Sequence, residues 1–141
     1  MTPNDVNYTQ EKSFALVGQK AIILNSENKI LVLQRSEKSG LGGKWSLPGG
    51  GLEDGEDSIE GIKREIVEET TSTVSQIEPY YVKSYKENDD FIVMIGYTCT
   101  SNLEDVKLNW EHDSYKWLTK EEALKLDLTS DGRTFIEQFN N

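Results

Sequence analysis

The stretch GGGLEDGEDSIEGIKREIVEETTSTV, Gly49 to Val74, decides the fold. Three glycines lead into a dense run of carboxylates, then an Arg-Glu pair and a Glu-Glu pair. Asp57 or Ser58 stands where a helix N-cap belongs, and the Asp57/Glu60 pairing suits a variant of the capping box. Ile59, Ile62 and Ile66 recur at helical spacing and form a stripe for burial, while Thr70 to Thr73 is β-branched and hydroxylated and ends the helix. Glu65, Glu68 and Glu69 stand at i, i+3 and i+4, which places them within an arc of about 100° on one face. Like charges at such positions cost roughly 0.2–0.5 kcal/mol per pair, and the later part of a helix disfavours anions. A solvated acidic face is one reading. A hard divalent cation is the other, because Mg2+ or Mn2+ is held by a few carboxylates together with substrate phosphates.

The residues before the helix favour the second reading. Gly49, Gly50 and Gly51 let the backbone turn tightly and approach a ligand or metal, and Pro48 stiffens the entrance. Two glycine-rich alternatives fail. GLGGKW lacks the spacing of a P-loop and the hydroxyl residue after its lysine, and no G-x-G-x-x-G follows a strand. LEDGEDS is not a calcium loop, since aligning Gly55 to the sixth position puts Gly50 where an oxygen-bearing side chain is required.

The segment resembles the Nudix box, G-x5-E-x7-R-E-U-x-E-E-x-G-U, with U bulky and aliphatic. Gly50, Glu56, Arg64, Glu65, Ile66, Glu68 and Glu69 match in register, and KWSLPGG resembles the run that enters this box. The final glycine and aliphatic of the pattern are Thr71 and Ser72 here, a departure that touches loop geometry and leaves the carboxylates intact. The resemblance implies an α/β fold with a central mixed sheet between helices. It implies hydrolysis of a nucleoside diphosphate linked to another moiety. The metal set implied is Glu65, Glu68 and Glu69 with the carbonyl of Gly50, holding Mg2+ or Mn2+. The catalytic set is Glu68, Glu111, Arg64 and Glu56, with Arg64 steadying Glu56 or a ligating glutamate and either Glu68 or Glu111 activating water. Glu111 belongs to NWEHDSYKW, which resembles the family's downstream loop with an acidic residue before a Trp-containing strand. His112, the only histidine, adjoins it and is read as a surface or hydrogen-bonding residue.

Arg35, Lys44 and Trp45 are candidates for binding substrate: the two cations flank the site loop and read as phosphate ligands or as solvated loop charge, and Trp45, like Trp110 and Tyr97 or Tyr115, reads as a base-stacking platform or a core aromatic. Markers of other family branches are absent. Glu87 to Asp90 offers neither the proline of ADP-ribose pyrophosphatases nor the tyrosine of diadenosine polyphosphate hydrolases, and the coenzyme A motif is missing. The reading is therefore MutT-like: a (d)NTP pyrophosphohydrolase releasing a nucleoside monophosphate and pyrophosphate. The alternatives are a hydrolase of a nucleotide sugar or dinucleotide, a non-catalytic nucleotide-sensing module, and an acidic interaction domain. The family also implies a monomer or homodimer.

The rest of the chain fits one domain over 1–141 with a loose arm over 1–12. FALVGQKAIILN and KILVLQR read as a hairpin about Ser26-Glu27-Asn28, and SEKSGLGGKWSLPGGG as a loop. VSQIEPYYVKSY is a strand that Pro79 consigns to an edge or bulge, KENDD a turn, and FIVMIGYTCT a strand buried on both faces. SNLEDVKLNWEHDSYKW is mixed, with a short strand near Tyr115 to Leu118. A capping box at Thr119 to Glu122 opens a helix through Leu126, and Ser130 or Asp131 caps a last one. A net charge of -10 argues against long nucleic acid. The absence of an apolar spanning run or leader, and of any partner for Cys99, points to the cytoplasm and away from membranes.

Overall fold

The apolar runs on either side of Ser26–Asn28 form β1 (Leu16–Leu24) and β2 (Ile30–Arg35) in a computed structural model that describes residues 2–101 and 105–140. Asn25 builds the turn: its side-chain oxygen accepts from the backbone N–H of Glu27 and of Lys29, each at 3.0 Å. The expected hairpin survives only at its root, where Leu24 pairs Ile30. Beyond it β1 runs parallel to β6 (Asp90–Ser101) from Leu16↔Ile92 to Leu24↔Thr100, while β4 (Gly49–Gly51) pairs its other edge antiparallel. With both edges of β1 taken, β2 diverges and pairs β3 (Trp45–Ser46) and β7 (His112–Leu118) instead.

The glycine-rich segment is thus not a plain loop. It holds a 3-10 turn at Glu37–Ser39 and the strands β3 and β4. Two apolar residues anchor it, since Trp45 and Leu47 are buried. Gly49 (φ 151) lies so close to β1 that a Cβ there would collide with the Gln19 carbonyl, so only glycine admits this pairing.

The sheet runs β3-β2-β1-β6-β5, with β5 (Val74–Glu87) at the edge, bulged on both sides of Pro79 as that residue demands. β5 and β6 run on to a tight Asn88-Asp89 turn, so the five-residue KENDD turn is shorter than expected. Helix α1 (Ser58–Thr70) covers one face, packing Ile62 and Ile66 on Ala21, Ile23, Leu31 and Leu33. The short α2 (Lys120–Ala123) and α3 (Ser130–Gln138) cover the other, where Phe135 and Ile136 meet Ile22, Val32 and Met94. This is the α/β architecture with a mixed sheet between helices that the box implied.

Local signals hold with two corrections. Asp57 caps α1 by accepting from Glu60 N, and Thr119 and Glu122 form the reciprocal capping box of α2. However, α2 ends at Ala123 rather than Leu126, and the cap of α3 is Thr129. The Thr129 hydroxyl accepts from Gly132 N and donates to Ser46 Oγ, a tie to β3 that neither Ser130 nor Asp131 makes. β7 begins at His112, three residues before the expected strand, and 102–104 of the mixed segment lie outside the described residues. Cys99 is buried, and burial pushes its thiol up to about 12. Residues 2–15 are exposed without helix or strand. No helix among the described residues is long and apolar enough to cross a membrane.

Candidate active site

Strand β4 and helix α1 bring the box together. The Gly49 N–H donates to the Glu69 carboxylate at 3.2 Å. A Cβ on Gly50 would stand 2.6 Å from the carboxylate carbon and both oxygens of Glu65, so that carboxylate lies directly over the glycine backbone. Arg64 binds Glu56 with two parallel bonds, Nε to Oε2 at 2.7 Å and Nη2 to Oε1 at 3.0 Å. Its remaining nitrogen reaches Glu65 at 3.0 Å and Glu68 at 3.3 Å. The Arg64 bond, then the Glu53 N–H, hold Glu56 down to about 2, and Arg64 itself is raised, chiefly by Glu56.

Glu69 faces a different environment. It is 2% exposed and no side chain forms an ion pair with it among the described residues. Burial pushes it up to about 8, against the pull of Lys20 and the Gly49 N–H, and Glu111 and Glu65 add to the rise. Burial likewise raises Glu65. Ligand atoms of Glu69, Glu111 and His112 all lie within 4.8 Å of one another. The main chain around Glu111 is fixed: the Ser36 N–H donates to Glu111 O at 2.9 Å, Ser36 Oγ donates to Trp110 O, and the Asn109 side-chain oxygen accepts from Glu111 N. Carboxylates crowded to this degree, one of them buried without a full counter-charge, suit a divalent cation by donor type and number.

The other expected residues divide. Arg35 is half-buried and organises the loop that follows it, its guanidinium donating to the carbonyls of Gly40 (2.8 Å, from Nε) and Ser39. Lys44 is paired with Asp127 at 2.9 Å. Trp45 is corrected: it is 9% exposed, packs in the core that holds Leu47 and Leu128, and has the Lys116 ammonium 5.1 Å from its ring centroid. An indole so enclosed offers no face for a base. Tyr97 is buried under a bond from Gln19 Nε2, whereas Trp110 and Tyr115 are exposed.

Three residues escaped the sequence reading of the site. Lys20 sits opposite Gly49 in register, donates to Leu47 O at 3.3 Å and has its pKa lowered by burial, with Glu69 as the largest opposing influence. Its signal was a lysine inside an apolar strand. His112 is 5% exposed, not at the surface; burial, then Arg35 and Lys20, bring it down to about 4, so it is neutral. Asp131 stands at the start of α3, 2.7 Å from Lys83, and lines a cleft of about 730 Å³ with Tyr85, Leu16, Gly18 and Met94 that reaches Gly51 and Glu56.

The NUDIX domain family matches residues 16–139 of this chain. The chain belongs to the Nudix family. It is 30% identical to the nucleoside triphosphatase NudI of Enterobacter sp. (strain 638) over 128 residues, 83% of this chain and 91% of the relative. It is similar to the MutT protein of Methanosarcina mazei Go1, with a TM-score of 0.75, 30% identity, and coverage of 92% of this chain and 95% of the other. The NUDIX domain of Shewanella oneidensis NrtR, crystallised with ADP ribose, shares the fold at a TM-score of 0.75 and 23% identity, over 98% of this chain and 96% of that one. This Nudix chain is a hydrolase of nucleoside diphosphate derivatives, acting on their acid anhydride bond.

Proposed function

We propose that this Nudix chain hydrolyses a nucleoside triphosphate to the monophosphate and pyrophosphate, with Mg2+ or Mn2+ as cofactor. The observation that carries the reading is Glu69, a buried carboxylate grouped with Glu111 and His112 and bonded to the Gly49 N–H, beside the Glu65 carboxylate that lies on Gly50. Glu65, Glu68 and Glu69, with the Gly50 carbonyl, would hold the cation. When bound, it neutralises phosphate charge and acidifies water.

The protein's own groups supply the remainder. Arg64 clamps Glu56 and fixes Glu65 and Glu68 on one side of α1, which keeps the ligating oxygens in place before substrate arrives. The proton from the attacking water goes to Glu68 or Glu111. Arg35 braces the loop between β2 and β3, and its charge lies within electrostatic reach of Lys20 and His112. The nucleoside occupies the cleft lined by Leu16, Gly18 and Met94, whose far end is polar at Tyr85 and Asp131. NudI supports a triphosphate substrate, being named a nucleoside triphosphatase.

The test is a substrate panel with Mg2+ and product identification by ion-exchange chromatography. It includes nucleoside diphosphate sugars, because the NrtR domain holds ADP ribose. Monophosphate and pyrophosphate from NTPs are expected. Inorganic phosphate as sole leaving product, or cleavage only of nucleotide sugars, would refute the triphosphate reading. Glu69→Gln should lower turnover by about two orders of magnitude or more while preserving the fold.

A further inference from the structure

We infer that the metal centre includes a nitrogen ligand: His112 joins Glu69 and Glu111, and the mixed nitrogen–oxygen set favours Mn2+ or Co2+ over Mg2+. The inference rests on the metal-binding reading above and adds to it two donors outside the box, the Glu111 carboxylate and an imidazole nitrogen, which leaves Glu68 to take the proton of the attacking water.

Two independent observations point to the imidazole. A ring nitrogen lies within 4.8 Å of carboxylate oxygens of both glutamates, a spacing that a cation at ordinary bond lengths closes with small rotamer changes. His112 is also 5% exposed, and its Nδ1 is buried without a hydrogen-bond partner among the described residues. Folds rarely leave such an atom unpaired, and a bound water or ion is the usual partner; of the unpaired buried atoms among the described residues, only His112 Nδ1 belongs to a residue grouped with carboxylates at ligand spacing. The backbone explains the placement. His112 pairs Arg35 across a register shift between Gln34 and Arg35, and it directly follows the turn that holds Glu111. Bulges of this kind re-aim a side chain, and here two neighbouring residues, Glu111 and His112, serve one point.

The charges around that point favour a cation. Glu69, Glu111 and Glu65, with Glu68 and Glu56 beside them, oppose Lys20, Arg35 and Arg64, leaving the cluster negative when its carboxylates are ionised. Imidazole nitrogen is a better donor for first-row transition ions than for Mg2+, which demands oxygen.

The chain contains one histidine, so an imidazole signal has one source. The tag-free full-length protein is loaded with Mn2+ and studied by electron spin-echo envelope modulation. A directly bound imidazole 14N coupling is expected, replaced by a 15N pattern after 15N-histidine labelling. His112→Gln should lose the coupling and weaken Mn2+ binding by about tenfold or more, with Mg2+ binding changed less than about threefold. Mn2+ bound without 14N coupling overturns the inference and leaves the carboxylate site standing. No Mn2+ binding at all overturns both.

Discussion

The Glu65 carboxylate rests on the backbone of Gly50, so close that the space for a Cβ on that glycine is already filled by the carboxylate. The glycine is there for approach rather than for backbone freedom, since Gly50 is not among the residues with positive φ. Its missing side chain lets a ligating oxygen and a main-chain carbonyl share one small volume.

Gly50→Ala therefore separates geometry from stability. The methyl group displaces the far end of a flexible side chain, which relaxes at little cost, so the thermal midpoint should stay within about 3 °C of the parent. The displaced carboxylate no longer sits where the cation and the phosphates need it. A misplacement of about 1 Å can lower turnover by about 100-fold. Parallel melting curves and steady-state rates test this, and near-parent turnover would refute the placement of Glu65 in the site.

Glu69 makes stability depend on pH in an unusual direction. Its folded pKa, about 8, lies above its ordinary value of 4.5, so between these values the folded state binds more protons than the unfolded one. Its contribution to stability is thus fully present below about pH 4.5 and falls as pH rises toward 8. Metal-free Glu69→Gln should melt at the same temperature as the parent at pH 4 and about 5 °C higher at pH 8, roughly 1–2 kcal/mol in a domain of this size. Mn2+ or Mg2+ should close that gap by stabilising only the parent. A variant less stable than the parent at pH 8 would sink the argument.

Arg64 organises three carboxylates at once, and only its planar fork can do so. Arg64→Lys keeps the charge but loses the paired bonds to Glu56. The Glu56 midpoint, held to about 2 by Arg64 and the Glu53 N–H, should rise toward 4.5 in a carbon-detected NMR titration. Turnover should fall about tenfold or more, as for the loss of a residue that supports metal ligands. An unchanged Glu56 midpoint would contradict the clamp.

The parts of the structure legible in the sequence are those set by local rules. The isoleucine stripe and Asp57 mark α1, Pro79 marks a bulged edge, and Thr119 with Glu122 marks α2. The hairpin misled because its turn is local while the occupancy of both edges of β1 is not. Strand β4 was hidden because its three residues are glycine, which strands disfavour, and β3 because it is only two residues long; partners supplied by β1 and β2 create them. Trp45 reads as either a stacking platform or a core aromatic because an indole suits both, and only the tertiary fold buries it. Lys20 and His112 stayed obscure for the converse reason: their meaning lies in the buried Glu69, nearly fifty residues from one and over forty from the other.

The departure from the family pattern at Thr71 has a measurable consequence. Thr71 closes α1 in the left-handed region (φ 61, ψ 8), with its N–H bonded to Val67 O. A β-branched residue is strained there by about 1–2 kcal/mol, whereas glycine is not. Some of that gain is offset by the greater freedom of glycine in the unfolded chain and by loss of the Thr71 hydroxyl bond to Thr70 O. Thr71→Gly should still stabilise by about 0.5–1 kcal/mol, a rise of roughly 2–4 °C in the thermal midpoint. The box carboxylates keep their positions on the helix, so turnover should remain within about twofold of the parent. Calorimetry on the metal-free variant gives the answer: a lower midpoint would mean that the threonine hydroxyl, not the backbone strain, dominates at this cap.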